Sequence, residues 1–254
     1  MPRVFVGTSG WNYDHWRGPF YPDGLPKNRW LGHYMRFFAS VEVNSTFYRT
    51  MRPSTFEKWG RSSPVGFVWS LKASRFITHI RRLRDTGEPL RRFEESVSLL
   101  GEKLGPILFQ LPPSLAFDRE SAAAFLRLRP SHELWAIEGR HPSWARDEAL
   151  ACLEEAGVSW CISDTAGRYP LREAVTAPFV YLRLHGSKRL YASCYTKDEL
   201  ETWAGKILSY GRDAYVYFDN DFMGYAPKNA LELMHILEAY GTLCIPGGPG
   251  YYEG

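Results

Sequence analysis

Eight short runs that begin apolar and end polar or charged constrain this chain more than any other feature of it. They are VFVGTSGW (4–11), SVEVNSTFY (40–48), FVWSLKA (67–73), PILFQLPP (106–113), WAIEGRHPSW (135–144), VSWCISD (158–164), FVYLRLHG (179–186) and AYVYFDND (214–221). A strand that starts apolar and exits polar belongs to a buried sheet with one wet face. Helical stretches separate most of the runs, so the strands must run parallel. Eight such units predict an α/β fold, a single (β/α)8 TIM-type barrel with its site at the strands' C-terminal ends.

The length of 254 residues matches the roughly 250 of a single barrel. The expectation is one domain over 1–244 and a Gly/Pro-rich tail, IPGGPGYYEG, over 245–254. The balance of 31 Lys+Arg against 28 Asp+Glu, a net +3, is too small to demand a polyanionic partner. Cys152, Cys161, Cys194 and Cys244 form no C-x-x-C pair. That argues against a zinc ribbon or a disulfide scaffold and fits a reducing, cytoplasmic setting. The first strand begins by Val4, which leaves no room for a signal peptide. No apolar run approaches the roughly 20 residues of a membrane helix, so no membrane partner is expected.

Periodicity predicts helices over 27–39, from Pro53 to about Trp59, over 89–104 and over 118–128 behind an Asp118 N-cap. Further helices are predicted from Pro142 to a Gly157 C-cap, over 196–209 behind a Thr196/Glu199 capping box, and over 227–240. After the sixth strand only a short or irregular helix fits, in LREAVT (171–176).

Side chains alternate across a strand, so each run splits by parity. Val41 and Val43 oppose Glu42 and Asn44. Trp69 and Leu71 oppose Ser70 and Lys72. Phe109 and Leu111 oppose Gln110, Ile137 opposes Glu138 and Arg140, and Leu182 and Leu184 oppose Arg183 and His185. The aliphatic sets belong on the helices, which sends Glu42, Asn44, Lys72, Gln110, Glu138, Arg140, Arg183 and His185 into the barrel mouth. In the eighth run either Tyr217 and Asp219 or Phe218 and Asn220 face inward. Asp164 stands at the exit of the sixth. Thr8 and Ser9, in the Gly-rich first exit, offer hydroxyls beside backbone N–H groups, and Trp11 follows them. His141 either joins the site or caps the helix at Pro142. Tyr191 and Tyr195, just past the seventh run, form either a lid over the site or an ordinary aromatic loop.

GTSGW (7–11), EVNSTFY (42–48), the Lys of SLKA (72), QLPP (110–113), E-x-RHPSW (138–144), LRLHG (182–186) and F-x-ND (218–221) together resemble the YecE-like family, the domain of unknown function numbered 72. The resemblance runs from the first strand to the last helix. It implies a TIM barrel and supplies no settled activity. Two residues depart from the family pattern: Gly139 stands where a larger apolar residue is usual, and Asp219 where asparagine is.

Three inward cations beside two carboxylates point to an enzyme acting on a small or terminal anionic group, a phosphate ester or a carboxylate. In that reading Glu42 or Glu138 is the base, His185 an acid or base, and Lys72 joins them in the chemistry. Arg140 and Arg183, with Lys72, hold the anion; Thr8, Ser9, Trp11, Asn44, Gln110, His141 and Asn220 complete the binding set. The reaction is of hydrolase, isomerase or lyase type. No cofactor is required. A divalent metal is the one addition that Glu138, Asp164, His185 and Asp219 would admit, as in a metal-dependent hydrolase or isomerase. A glycosidase using Glu42 and Glu138 is less suited, because the nearby cations depress the acid. The competing class is nucleic-acid binding or nuclease activity through SRFITHIRRLRDTGEPLRR (74–92). The structural alternative is a self-neutralising ion network that fills the barrel mouth.

Overall fold

The computed structural model describes residues 2–242. The predicted tail at 245–254 lies outside the described residues, as does Cys244. The chain alternates strand and helix: β1 (Val4–Thr8), α1 (Trp30–Tyr34), β2 (Ser40–Val43), α2 (Ser45–Tyr48), α3 (Pro53–Ser62), β3 (Val68–Lys72), α4 (Gly87–Val97), β4 (Leu104–Gln110) and α5 (Arg119–Leu126). It continues as β5 (Trp135–Glu138), α6 (Asp147–Glu155), β6 (Ser159–Asp164), β7 (Phe179–Leu184), α7 (Lys197–Ser209), β8 (Asp213–Phe218) and α8 (Tyr225–Ala239). All the ladders are parallel, in the order β1-β8-β7-β6-β5-β4-β3-β2. The TIM-type barrel is nearly closed. Among the described residues no helix is long and apolar enough to cross a membrane.

Closure at the β1–β2 seam rests on small residues and one tyrosine. A single bridge, Ser9 to Glu42, replaces a ladder there. Gly7 lets the strands approach: a Cβ at this position would lie 2.2 Å from the Ser40 carbonyl oxygen. Tyr34 of α1 pegs the seam. Its hydroxyl accepts from the Thr8 N–H at 2.9 Å and donates to the Ser40 carbonyl at 2.9 Å.

The two faces of each strand do different work, as parity requires. Val41, Val43, Trp69, Leu71, Ile107, Phe109, Ile137, Leu182 and Val216 pack outward with the helices in one large core. Inside, a second cluster plugs the barrel: Phe5, Leu108, Ala136, Cys161, Phe179, Tyr181, Tyr215 and Tyr217. Phe5 stacks on Tyr215 at 4.9 Å, and Tyr181 lies 5.3 Å from Tyr217. This plug makes the interior a packed, low-dielectric floor beneath the C-terminal mouth.

Some helices differ from the sequence expectation. The segment expected as a helix over 27–39 shortens to a 3-10 turn at Lys27–Arg29 and α1. Burial of Trp30, Tyr34 and Phe38 holds it, not length. The expected 89–104 helix begins earlier and ends at Val97, and a 3-10 stretch broken at Gly101 (φ 58°) leads into β4. Between β6 and β7 no helix forms. Thr176 instead accepts from the Trp160 N–H and donates to the Val158 carbonyl, both at 2.7 Å, tying that crossover to the sheet. The Asp118 cap and the Thr196/Glu199 capping box form as expected. Gly139 faces outward, and a Cβ there would meet Trp144 Cβ at 2.3 Å; Trp144 occupies the space that a larger residue would need.

Gly7→Ala drives a methyl group into backbone that cannot yield. It should cost roughly 1–3 kcal/mol, read as a lower urea midpoint at unchanged slope. A midpoint equal to that of the parent chain would refute the close approach at the seam.

Candidate active site

Arg183, at the end of β7, is the centre of the mouth and is 1% exposed. Its Nε and Nη2 donate to Glu42 at 2.9 and 2.8 Å, Nη1 donates to Glu138 at 2.7 Å, and Nη2 reaches Asp219 at 3.0 Å. One guanidinium therefore holds three carboxylates from β2, β5 and the exit of β8. Glu42 also accepts from the Tyr181 hydroxyl at 2.7 Å and from the Ser9 hydroxyl. Ser9 accepts in turn from the Asn44 amide at 2.7 Å.

Glu138 is fully engaged. Arg140 Nε donates to it at 2.8 Å and the Gln110 amide at 2.9 Å. Burial pushes its carboxyl up, but Arg140 and Arg183 more than offset that and hold it well below the usual carboxylate range. Burial likewise opposes ionisation of Asp219, and Arg183 overcomes it. Glu138, one of the two proposed bases, is thus stabilised as an anion, which makes it a poor proton acceptor at neutral pH.

The eighth-strand ambiguity resolves with Tyr217 and Asp219 inward. His185 is sealed behind this layer. Its Nδ1 lies 2.9 Å from Asp219, out of line for a hydrogen bond, and its Nε2 lies 3.2 Å from Arg183 Nη1. An arginine only donates, so Nε2 is the acceptor in that contact. The Tyr191 ring covers this histidine edge-on at 5.3 Å. Tyr195 is not a lid: it is buried, donating to Asp164 and accepting from the Gly186 N–H.

Lys72 is different. It is 6% exposed, and no ion pair or hydrogen bond to its Nζ exists among the described residues. The Nζ lies 4.3 Å from the centre of the Phe47 ring. Burial, helped by the charge of Arg183, lowers its pKa to about 8. Arg140 is also only partly used: Nε is bonded, its guanidinium lies 4.4 Å from the Tyr169 ring, and its terminal nitrogens have no hydrogen-bond partner among the described residues.

Sequence reasoning passed over His79 as a site residue. It sits in a π-helical turn (Phe76–Ile80) directly after β3, a rare geometry that recurs at functional sites. Its ring packs edge-on against Phe47 at 5.0 Å, and its Nδ1 bonds the Thr78 hydroxyl at 2.9 Å. Desolvation, then Lys72, Arg140, Arg75 and Arg82, lower its pKa to about 4. The signal in the sequence was its place just beyond SLKA; its turn geometry was invisible.

Several expected site residues lie elsewhere. The Thr8 hydroxyl is spent on the Gly10 carbonyl and Tyr34. Trp11 is wedged edge-on against Trp59 and Trp69 as a packing residue. The Nδ1 of His141 accepts from the Ser143 N–H, so it caps the turn at Pro142. Asn220 turns outward, donating to the Ser193 carbonyl and to Asn229. The metal set is not assembled: Asp164 is tied to Tyr195 and the Ala166 N–H, while Glu138 and Asp219 face Arg183. Among the described residues no group of three or more His, Cys, Asp or Glu side chains is placed to hold a metal ion. In the basic segment 74–92, Arg91 and Arg92 pair with Glu88, and Arg91 also pairs with Glu95.

Backbone strain marks the same face. Arg82, Leu83, Asp85, Ala166, Tyr191 and Met223 are the non-glycine residues with positive φ among the described residues. Every one lies in a loop that follows β3, β6, β7 or β8. Strain of this kind collects where a site is held in shape.

A (β/α)8 barrel with a buried charge network beneath its C-terminal loops is the class that this fold and site define. The chain belongs to the DUF72 family, described as protein of unknown function DUF72, whose profile matches residues 5–249. It is 25% identical to UPF0759 protein YunF of Bacillus subtilis, over 92% of this chain and 95% of that one. It is 27% identical to UPF0759 protein YecE of Escherichia coli K12, covering 92% and 91%. The solved DUF72 family protein TM1631 of Thermotoga maritima superposes with a TM-score of 0.84 at 28% identity, over 93% of this chain and 99% of that one.

The contrast between the two cations predicts opposite stability effects. Arg183→Met strands three buried carboxylates and should cost roughly 3–5 kcal/mol or prevent folding. Lys72→Met removes a charge that the fold disfavours. The folded pKa is below that of the unfolded chain, so the unfolded state binds more protons and stability rises with pH from about 8 to the unfolded value. At pH 7 Lys72→Met should therefore stabilise by on the order of 1–3 kcal/mol, measured by urea unfolding. Equal destabilisation by both variants would refute the distinction.

Proposed function

We propose that this DUF72 barrel is an enzyme acting on a small substrate with a phosphate or carboxylate group, by acid/base chemistry at the mouth beside Lys72, His79 and Arg140. The observation that carries this reading is a cationic corner, an unpaired Lys72 beside the unbonded terminal nitrogens of Arg140, next to a network that compensates itself. Arg183 is saturated by Glu42, Glu138 and Asp219 and serves as an anchor. The terminal nitrogens of Arg140 remain free to grip an anion, a task suited to a planar fork. Keeping an unpaired lysine and a half-paired arginine in a low-dielectric mouth destabilises a fold, and such a cost is retained where function needs it.

The proton chemistry falls to Lys72 and His79. With a pKa of about 8, Lys72 is deprotonated in about a tenth of molecules at pH 7, against well under a thousandth for an exposed lysine. It can give and take protons near neutrality. His79 stays neutral there and offers its free nitrogen as a second relay. Glu42 and Glu138 set the field that keeps Lys72 from losing its charge altogether. Hydrolase, isomerase and lyase reactions all fit this set.

The test is a titration with inorganic phosphate and with malonate at low salt, read by thermal shift. The melting temperature should rise with anion concentration. Arg140→Met should flatten that rise relative to its own unliganded value. Protection should weaken as pH passes about 8, because Lys72 loses its charge while arginine keeps its own. Absence of stabilisation by either anion would sink the reading. Tight, salt-sensitive binding of an oligonucleotide, unchanged in Arg140→Met, would transfer it to the 74–92 segment.

A further inference from the structure

Lys72 is equipped for more than proton transfer. Its amine is buried and makes no hydrogen bond, yet it is not among the sealed, unpartnered polar atoms of the interior, so it still touches the mouth. It stands over the face of Phe47, which strips water from one side. Arg183 and Arg140 lie in the same mouth. An amine desolvated on an apolar wall and crowded by other cations is the arrangement that frees a lysine lone pair for attack on carbon. His79 contacts the same Phe47 ring from its edge, so a neutral imidazole and the amine share one wall. Nothing else among the described residues combines a nucleophile, a proton relay and an anion grip. The other buried nucleophile facing into the barrel, Cys161, lies in the plug between aromatic side chains.

We propose that Lys72 forms a Schiff base with a carbonyl compound bearing a phosphate or carboxylate, the anion being held by Arg140. The inference rests on the anion-binding reading and names its substrate class: small oxo acids and phosphorylated aldehydes or ketones. In the first step the neutral Nζ attacks the carbonyl carbon, and the C=O π pair moves to oxygen. One amine proton passes to that oxygen through His79, giving a carbinolamine. The oxygen takes a second proton, the one that the ammonium released to solvent in becoming neutral, and leaves as water as the C=N bond forms. In sum the ammonium and the carbonyl yield a protonated imine and one water, with no oxidant or reductant. One cation replaces another, so the charge balance with Glu42, Glu138 and Asp219 is preserved. The imine then draws electrons from the adjacent carbon, which is what a lyase or isomerase requires.

The experiment is reductive trapping. The protein is incubated with pyruvate, glyoxylate or dihydroxyacetone phosphate and cyanoborohydride at pH 7, and adducts are mapped by peptide mass spectrometry. Lys72 should be labelled at least tenfold faster than the exposed Lys58 and Lys197, with the mass of one reduced imine. Lys72→Met should lose that adduct while keeping the labelling of the exposed lysines, with a urea midpoint at or above that of the parent chain. Arg140→Met should still label at Lys72 with acetone, a neutral carbonyl, but lose the preference for the anionic probes. Labelling of Lys72 no faster than Lys58 overturns the Schiff base. If phosphate protection persists in that case, only the inference has failed; if phosphate also gives no thermal shift, the underlying reading has failed with it. His79→Gln should slow trapping at Lys72 without changing phosphate protection, an outcome that a merely structural histidine would not produce.

Discussion

One guanidinium organises the working end of this barrel. Arg183 binds carboxylates delivered by three separate strands or strand exits, and it does so with water almost wholly excluded. Each of those acids would otherwise be a buried charge without a partner, at a cost of several kcal/mol. The arrangement ties β2, β5, β7 and the exit of β8 together across the barrel axis, where no ladder hydrogen bond can reach. It also fixes Ser9, Tyr181 and His185, which take up the donors and acceptors left over.

The aromatic plug below makes this network strong. Phe5, Phe179, Tyr181, Tyr215 and Tyr217 fill the lower barrel and keep water away from the ion pairs. Two of the tyrosines also join the layers. Tyr181 donates upward to Glu42, while Tyr217 bonds the hydroxyls of Ser40 and Ser70 at 2.6 and 2.7 Å. The transition from oil to charge is therefore made through phenols, which have an apolar body and a polar tip.

Against that satisfied layer, the corner around Phe47 stands out by what it lacks. Lys72 and the outer half of Arg140 have no carboxylate spare to meet them, because the acids are consumed by Arg183. The barrel mouth thus divides into a neutralised half that holds shape and an electropositive half that holds potential. The π turn at Phe76–Ile80 carries His79 against Phe47 in the electropositive half, and positive φ angles at Arg82, Leu83 and Asp85 follow in the same loop. Local backbone cost, depressed lysine basicity and free guanidinium nitrogens coincide in one place.

The barrel and the inward set of Glu42, Lys72, Gln110, Glu138, Arg183 and His185 were legible from the sequence alone, since strand alternation is a covalent property of the extended chain. Family motifs supported the same architecture. Parity failed where the chain leaves the strand: it did not choose between Asp219 and Asn220, and it did not remove Thr8, Trp11 or His141 from the site. Those residues obey local capping and packing partners far away in the sequence. Nor did alternation tell a neutralised cation from a free one. Arg183 and Lys72 read alike along the chain; only the closed barrel, by bringing three acids to one and none to the other, made the first a structural anchor and left the second chemically available.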